Sequence, residues 1–212
     1  MRLKTIVNEL KAHAPFTFFG ALLGIILMFF LRGMGHESAH NLFFIFHPLH
    51  VLLSALATAG LYKHYQCPLD RRQCNLFLLL IIGYVGSIGI ATLSDSLIPY
   101  LGETLLKMPD RGVHAGFIER PFLVNSMAVL RVLIAYYNPT IRFPHFGHIL
   151  LSTAASLLHI VMAQGGTMTL TLYLVSMVFL FFSVWLPCCI SDIVFPLLFV
   201  KEGSEIGHHN HK

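Results

Sequence analysis

Histidine is the outlier among the polar residues of this chain: thirteen stand against ten Asp and Glu together. Four of them fall in two matching stretches. His47-Pro48-Leu49-His50-Val51-Leu52-Leu53-Ser54-Ala55-Leu56-Ala57-Thr58 and His145-Phe146-Gly147-His148-Ile149-Leu150-Leu151-Ser152-Thr153-Ala154-Ala155-Ser156 both read H-x-x-H-[VI]-L-L-S-x-x-A-[ST]. Helical positions three and four apart share a face. His47, His50, Ser54 and Thr58 therefore form one polar row, and His145, His148, Ser152 and Ser156 a second that His159 extends. Imidazole suits Zn, Ni, Cu or Fe, and a carboxylate adds charge compensation. A second matching pair supplies that carboxylate: Ser94-Asp95-Ser96-Leu97-Ile98-Pro99-Tyr100-Leu101 and Ser191-Asp192-Ile193-Val194-Phe195-Pro196-Leu197-Leu198 both read S-D-x-x-[IF]-P-x-L. The pattern predicts a divalent metal ion (Zn, Ni, Fe or similar) held by His50, His148, Asp95 and Asp192, with His47, Ser54, His145 and Ser152 on the same path. Histidines from facing helices also serve as axial ligands of haem, so a haem-binding electron carrier is one alternative.

A different chemistry is spelled by His36-Glu37-Ser38-Ala39-His40, a literal H-E-x-x-H. On a helix it sets two zinc ligands one turn apart, with Glu37 poised to activate water. The alternative it supports is a membrane-embedded zinc-dependent hydrolase of the metallopeptidase kind; the same residues would also serve as a metal-capture site at the mouth of a transporter. Its context is a short connection, no third ligand is evident, and the second half holds no counterpart. His114, Glu119 and Arg120 cluster in another connection, followed by Asn125 and Arg131. Cys188 and Cys189 precede Asp192 and are soft ligands when ionised, although inert buried thiols are the expected state. The tail Gly207-His208-His209-Asn210-His211-Lys212 is a loose metal binder by composition. No P-loop, dinucleotide fingerprint, G-x-S-x-G or C-x-x-C pattern occurs, so ATP hydrolysis is not expected.

The elements that must position these residues are apolar. The 212 residues are 56% hydrophobic and only 11% charged, with a mean hydropathy of +0.72; soluble domains carry about a quarter charged residues. The fold class expected is all-α, a polytopic membrane protein. A spanning helix needs about 20 mostly apolar residues, and six candidates emerge: 15–31, 48–65, 75–93 with apolar character resuming to 106, 121–137, 147–162, and 168–186 continuing to 200. Pro15, Pro48 and Pro121 stand at expected helix starts. Gly83, Gly86 and Gly89 predict close helix packing. No cleaved signal peptide is expected. The net charge of +4 is scattered over connections, so nucleic acid is not an expected partner. The expected partners are the lipid bilayer and a small ion, with a homo-oligomer left open.

Order within the chain repeats. His47 and His145 are 98 residues apart, and Ser94 and Ser191 are 97 apart. Pro15-Phe16 and Pro121-Phe122 add a weaker match at the start of each half. These collinear matches predict two repeats, residues 1–107 and 108–212, in one integral membrane domain. Three spans per half put the second half upside down relative to the first, a design typical of secondary transporters. The H-x-x-H and S-D segments are then expected toward opposite faces in the two halves. Each S-D-x-x-x-P is expected to break its helix, because Pro removes a backbone hydrogen bond four residues upstream. Six spans place Arg2, Lys4, Lys11, Lys63, Arg71, Arg72, Arg142, Lys201 and Lys212 on one face and Arg32, Lys107, Arg111 and Arg120 on the other. That bias predicts a multi-pass cell-membrane protein with both termini cytoplasmic. Cys67 and Cys74 would then sit in a reducing compartment, where no disulfide is expected. The function expected from these features is transport of a small ion, a divalent transition metal foremost.

Overall fold

A computed structural model describes residues 2–31, 33–67, 74–138, 142–165, 169–190 and 194–199. Asp192 and the tail 201–212 lie outside this set, as does the His145 side chain. Regular structure among the described residues is helical: α1 (Arg2–Leu31), α2 (His36–Gln66), α3 (Leu76–Thr92), α4 (Ile98–Leu105), α5 (Gly116–Glu119), α6 (Pro121–Tyr137), α7 (Arg142–Ala163), α8 (Leu170–Cys189) and α9 (Phe195–Leu198). A π turn, Leu93–Leu97, joins α3 to α4 in one rod.

Three helical stretches are long and apolar enough to cross a membrane: His36–His64, Leu76–Leu105 and Leu170–Cys188. Three shorter apolar helices accompany them, Thr17–Leu31, Pro121–Tyr137 and Gly147–Ala163. Large apolar side chains cover much of the outside, and a polar cluster lies within the apolar core. Phe18, Phe19, Leu23 and Phe30 on α1, Leu130 on α6 and Leu174 on α8 are exposed, whereas His47, His50, Ser54, Asp95, Glu103, His148 and Ser152 are buried. Lipid tolerates the first group, and ionisable residues at membrane depth face the bundle interior.

Helix α2 is the hub. It packs against α7 on one side and against α3 and α6 on another, while α1 and α8 pair with each other and with α7. Met28, Phe43, Leu158 and Leu180 interlock α1, α2, α7 and α8. Ala55, Ala59, Leu79, Ile82, Val132 and Ala135 close α2, α3 and α6. The expected glycine packing holds for two of three positions. A Cβ on Gly83 would lie 2.5 Å from Val132 Cγ2 and 3.2 Å from Ala59 Cβ, and one on Gly86 would meet Thr58 and Phe195. Gly89 is exposed and faces open space.

Four sequence expectations are corrected. Helix α2 starts at His36 rather than Pro48, so H-E-x-x-H occupies its first turns and His50 lies at the middle of the His36–His64 stretch. Pro15 and Pro48 lie inside α1 and α2; burial of an apolar face outweighs one lost backbone bond. The Ser-Asp segment does not break its helix. Ile98 N–H turns to Leu93 O, five residues back, and the rod continues with Pro99 at the start of α4. Finally, Cys67 and Cys74 form a disulfide. The end of α2 at Cys67 and the residue before the Asn75 cap of α3 bring their Cα atoms to 5.2 Å, within bridging range. Charge counting had addressed the compartment and not this proximity.

Candidate metal centre

The polar centre is built around Asp95, whose side chain is fully buried. Its Oδ2 lies 2.9 Å from His47 Nδ1 and 2.8 Å from His50 Nδ1. Its Oδ1 accepts from Ser94 Oγ at 2.7 Å and Ser152 Oγ at 3.0 Å. An ionised carboxylate has no proton to give, so both imidazoles donate through Nδ1. Their Nε2 atoms are left as lone-pair sites, buried and without a hydrogen-bond partner among the described residues. Both carboxylate oxygens are thus occupied by side chains.

The π turn helps assemble this cluster. Because Ile98 N–H reaches back to Leu93 O, Ser94 O loses its ordinary helical donor, and Ser156 Oγ donates to it at 2.9 Å. The carbonyl freed by the π turn is thus satisfied from α7. Local π geometry is frequent at functional sites.

On the far side of His50 stand His148 and Cys188. The His50 and His148 rings meet edge to face at 5.1 Å. One donor atom from each of His50, His148 and Cys188 lies within 4.8 Å of the others, and all three residues are buried. A tetrahedral zinc ion with bonds of about 2.0–2.3 Å holds its donors roughly 3.3–3.8 Å apart, so small side-chain rotations close the set. The three residues come from α2, α7 and α8. Asp95 stands behind His50 in the carboxylate–histidine arrangement that fixes tautomer and ring orientation in metal sites. The two histidine copies, expected toward opposite faces, therefore adjoin one centre, because α2 extends far beyond Pro48 and places His50 at mid-helix.

The polar rows read from the sequence are otherwise inward. Ser54 and Thr58 are buried on α2; Ser152, Ser156 and His159 are buried on α7. Two residues of the interior escaped sequence reasoning. Cys188 was set aside as an inert thiol, and Glu103 was not singled out, although an ionisable group in an apolar stretch is the signal that could have found it. Glu103 is buried and pairs with His159 Nδ1 at 2.6 Å. His159 Nε2 lies 3.2 Å from Ser96 Oγ, which also accepts the His114 backbone N–H at 3.0 Å.

A second cluster lies at one end of α2. His114 Nδ1 lies 3.2 Å from Glu119 Oε1, and His40 Nε2 lies 3.5 Å from Glu119 Oε2. His40, His114 and Glu119 offer ligand atoms within 4.8 Å of one another. His36 stacks on His40 with ring centroids 6.2 Å apart. Glu37 is exposed and belongs to neither ligand group. Burial, with help from the neighbouring His159 and His40, lowers the pKa of His114 below its ordinary value, while Glu119 opposes the shift. Arg131 on α6 is half-buried, and its Nε has no partner among the described residues.

Comparison of the chain with family models, with curated proteins and with solved structures finds no match.

Proposed function

We propose that this protein carries a transition-metal ion through the membrane, taking it up at His50, His148 and Cys188. One observation carries the reading: three metal-ligating side chains from three helices converge in a buried centre, with Asp95 holding His50 by its Nδ1. Imidazole and thiolate together prefer soft and borderline ions such as Zn(II) or Cu(I) over Mg or Ca. Cys188 thus replaces Asp95 and Asp192 in the ligand set, and Asp95 becomes the orienting group. Two three-span repeats of opposite orientation give such a site a mechanism. His50 belongs to residues 1–107, and His148 and Cys188 to residues 108–212. Rocking one half against the other would open the ligand set and expose it to alternate sides. The chain order of the long helices, α1, α2 and α3–α4 followed by α6, α7 and α8, supports the three-plus-three scheme, and the exposed apolar side chains support a multi-pass setting.

The haem alternative fits less well, because edge-to-face rings at 5.1 Å leave no slot for a macrocycle between His50 and His148. The hydrolase alternative needs Glu37 beside a metal, whereas His40 turns to Glu119. The test is metal uptake into proteoliposomes loaded with a zinc-sensitive dye. Wild-type protein should accumulate zinc, and His50→Ala, His148→Ala and Cys188→Ser should each lose at least about tenfold of the rate, as expected when one ligand of a metal site is removed. Wild-type flux in all three variants would refute the site.

A further inference from the structure

The outer cluster has the composition of a site in its own right. His40 stands on α2, His114 on the connection after α4, and Glu119 at the end of α5. These segments are held together independently of any ion. Ser96 Oγ accepts the His114 N–H at 3.0 Å, which ties the connection to the π turn. Gly116 lies so close to α2 that a Cβ there would collide with the His47 ring. The guanidinium of Arg120 lies over the Phe44 ring at 5.6 Å. The ligand atoms are thus brought within 4.8 Å of one another by a seated segment, and the residues are half-buried or exposed, open to an arriving ion.

We propose that His40, His114 and Glu119 form a second metal site, which binds a borderline divalent cation of the zinc class through two imidazoles and a carboxylate. Two nitrogens and one oxygen make a harder set than His50, His148 and Cys188, and an accessible one. The site also leads inward. The His114 ring lies 5.3 Å from that of His159, His159 lies 5.7 Å from Phe43, and Phe43 stacks on His47 at 5.2 Å. An ion released from the outer ligands meets this imidazole-lined column before the Asp95 centre. That hand-off rests on the transport reading; binding at the outer site does not.

Cobalt(II) separates the two sites, since thiolate ligation adds a charge-transfer band in the near ultraviolet. The full chain in detergent, with tail histidines His208, His209 and His211 replaced by alanine, should bind two equivalents. One should carry the thiolate band and the other ligand-field bands alone. Cys188→Ser should abolish the thiolate band and leave the second equivalent in place. In that background, Glu119→Gln should weaken the remaining binding at least about tenfold, and His114→Ala should remove it. Glu119→Gln is the exposed and conservative change, so it decides the matter if His114→Ala does not fold. Loss of all cobalt on Cys188→Ser, or unchanged affinity on adding Glu119→Gln, would overturn the outer site. A wild-type protein that binds one equivalent without a thiolate band, sensitive to Glu119→Gln, would overturn the interior site and leave this one standing.

Discussion

Replacing Asp95 tests the interior centre most directly, because two substitutions there have different expected effects. Asp95→Ala removes the acceptor of four donors: His47 Nδ1, His50 Nδ1, Ser94 Oγ and Ser152 Oγ. A buried donor left without a partner costs about 1–3 kcal/mol. Ser94 Oγ keeps Ala91 O at 3.3 Å, but three such losses, even if less than additive, still reach the lower end of a whole domain's stability, about 5–15 kcal/mol. The alanine variant should not accumulate as folded protein. Asp95→Asn keeps the shape. Its oxygen can still accept from Ser94 and Ser152, and its amide can donate to the two imidazoles, but only if each moves its proton from Nδ1 to Nε2. The network survives at a cost of about 1–2 kcal/mol. His50 Nε2 then carries a hydrogen toward His148 and Cys188, and it can no longer ligate. Metal affinity should fall about 10–100-fold, the usual effect of losing an orienting carboxylate, or about 1.4–2.8 kcal/mol. Thermal unfolding in detergent and a cobalt titration followed through the thiolate band measure both quantities. Wild-type affinity in Asp95→Asn would refute the orienting role, and an Asp95→Ala protein as stable as wild type would refute the structural one.

Glu103 and His159 form a buried pair outside the metal ligands. His159→Phe should destabilise by about 3–5 kcal/mol by stranding Glu103, whereas Glu103→Leu together with His159→Phe should recover most of that loss; equal melting temperatures for the single and double variants would contradict the pairing. Gly116→Ala should push His47 away from Asp95 and lower stability by about 1–3 kcal/mol, read as a lower melting temperature in detergent; an unchanged melting temperature would contradict that close approach. His114 has a pKa below its ordinary 6.5, so the unfolded chain binds its proton first as pH falls. Its contribution to metal-free stability is therefore neutral above that ordinary value and unfavourable below it, and His114→Gln should flatten the acid-side loss of melting temperature in chelator-treated protein. An identical pH profile would refute that environment.

Local pattern made much of the scaffold legible, and tertiary proximity hid the rest. Apolar runs located the cores of the long helices, and α6 begins and ends where Pro121 and Tyr137 indicate. The i, i+3, i+4 rows on α2 and α7 pointed inward because polar residues in an apolar helix have nowhere else to go. Prolines misled at Pro15 and Pro48, where a continuous helix keeps its interior partners despite one missing donor. The proposed ligand set is half legible. His50 and His148 stand out by repetition, but Cys188 comes near them only through the packing of α8 on α7, which no spacing in the chain encodes. Asp95 is legible as a residue, but no spacing in the chain reveals that side chains from α2, α7 and its own neighbour Ser94 occupy both its oxygens. His40 falls in one expected connection and His114 with Glu119 in another; the fold of the 111–119 segment over α2 unites them.

The π turn also acts as a phase corrector along the α3–α4 rod. Asp95 and Glu103 are eight residues apart, whereas their α7 partners Ser152 and His159 are seven apart. At about 100° per residue, seven residues return a side chain to within about 20° of its starting direction, but eight leave it about 80° away. A regular helix could present one acid to α7 and would swing the other toward a different neighbour. The wider turn at Leu93–Leu97 absorbs the extra residue and brings the two acids back into line with the serine and histidine opposite. Both buried carboxylates thus depend on one local irregularity, and an ordinary α turn in its place would swing one of them away from α7.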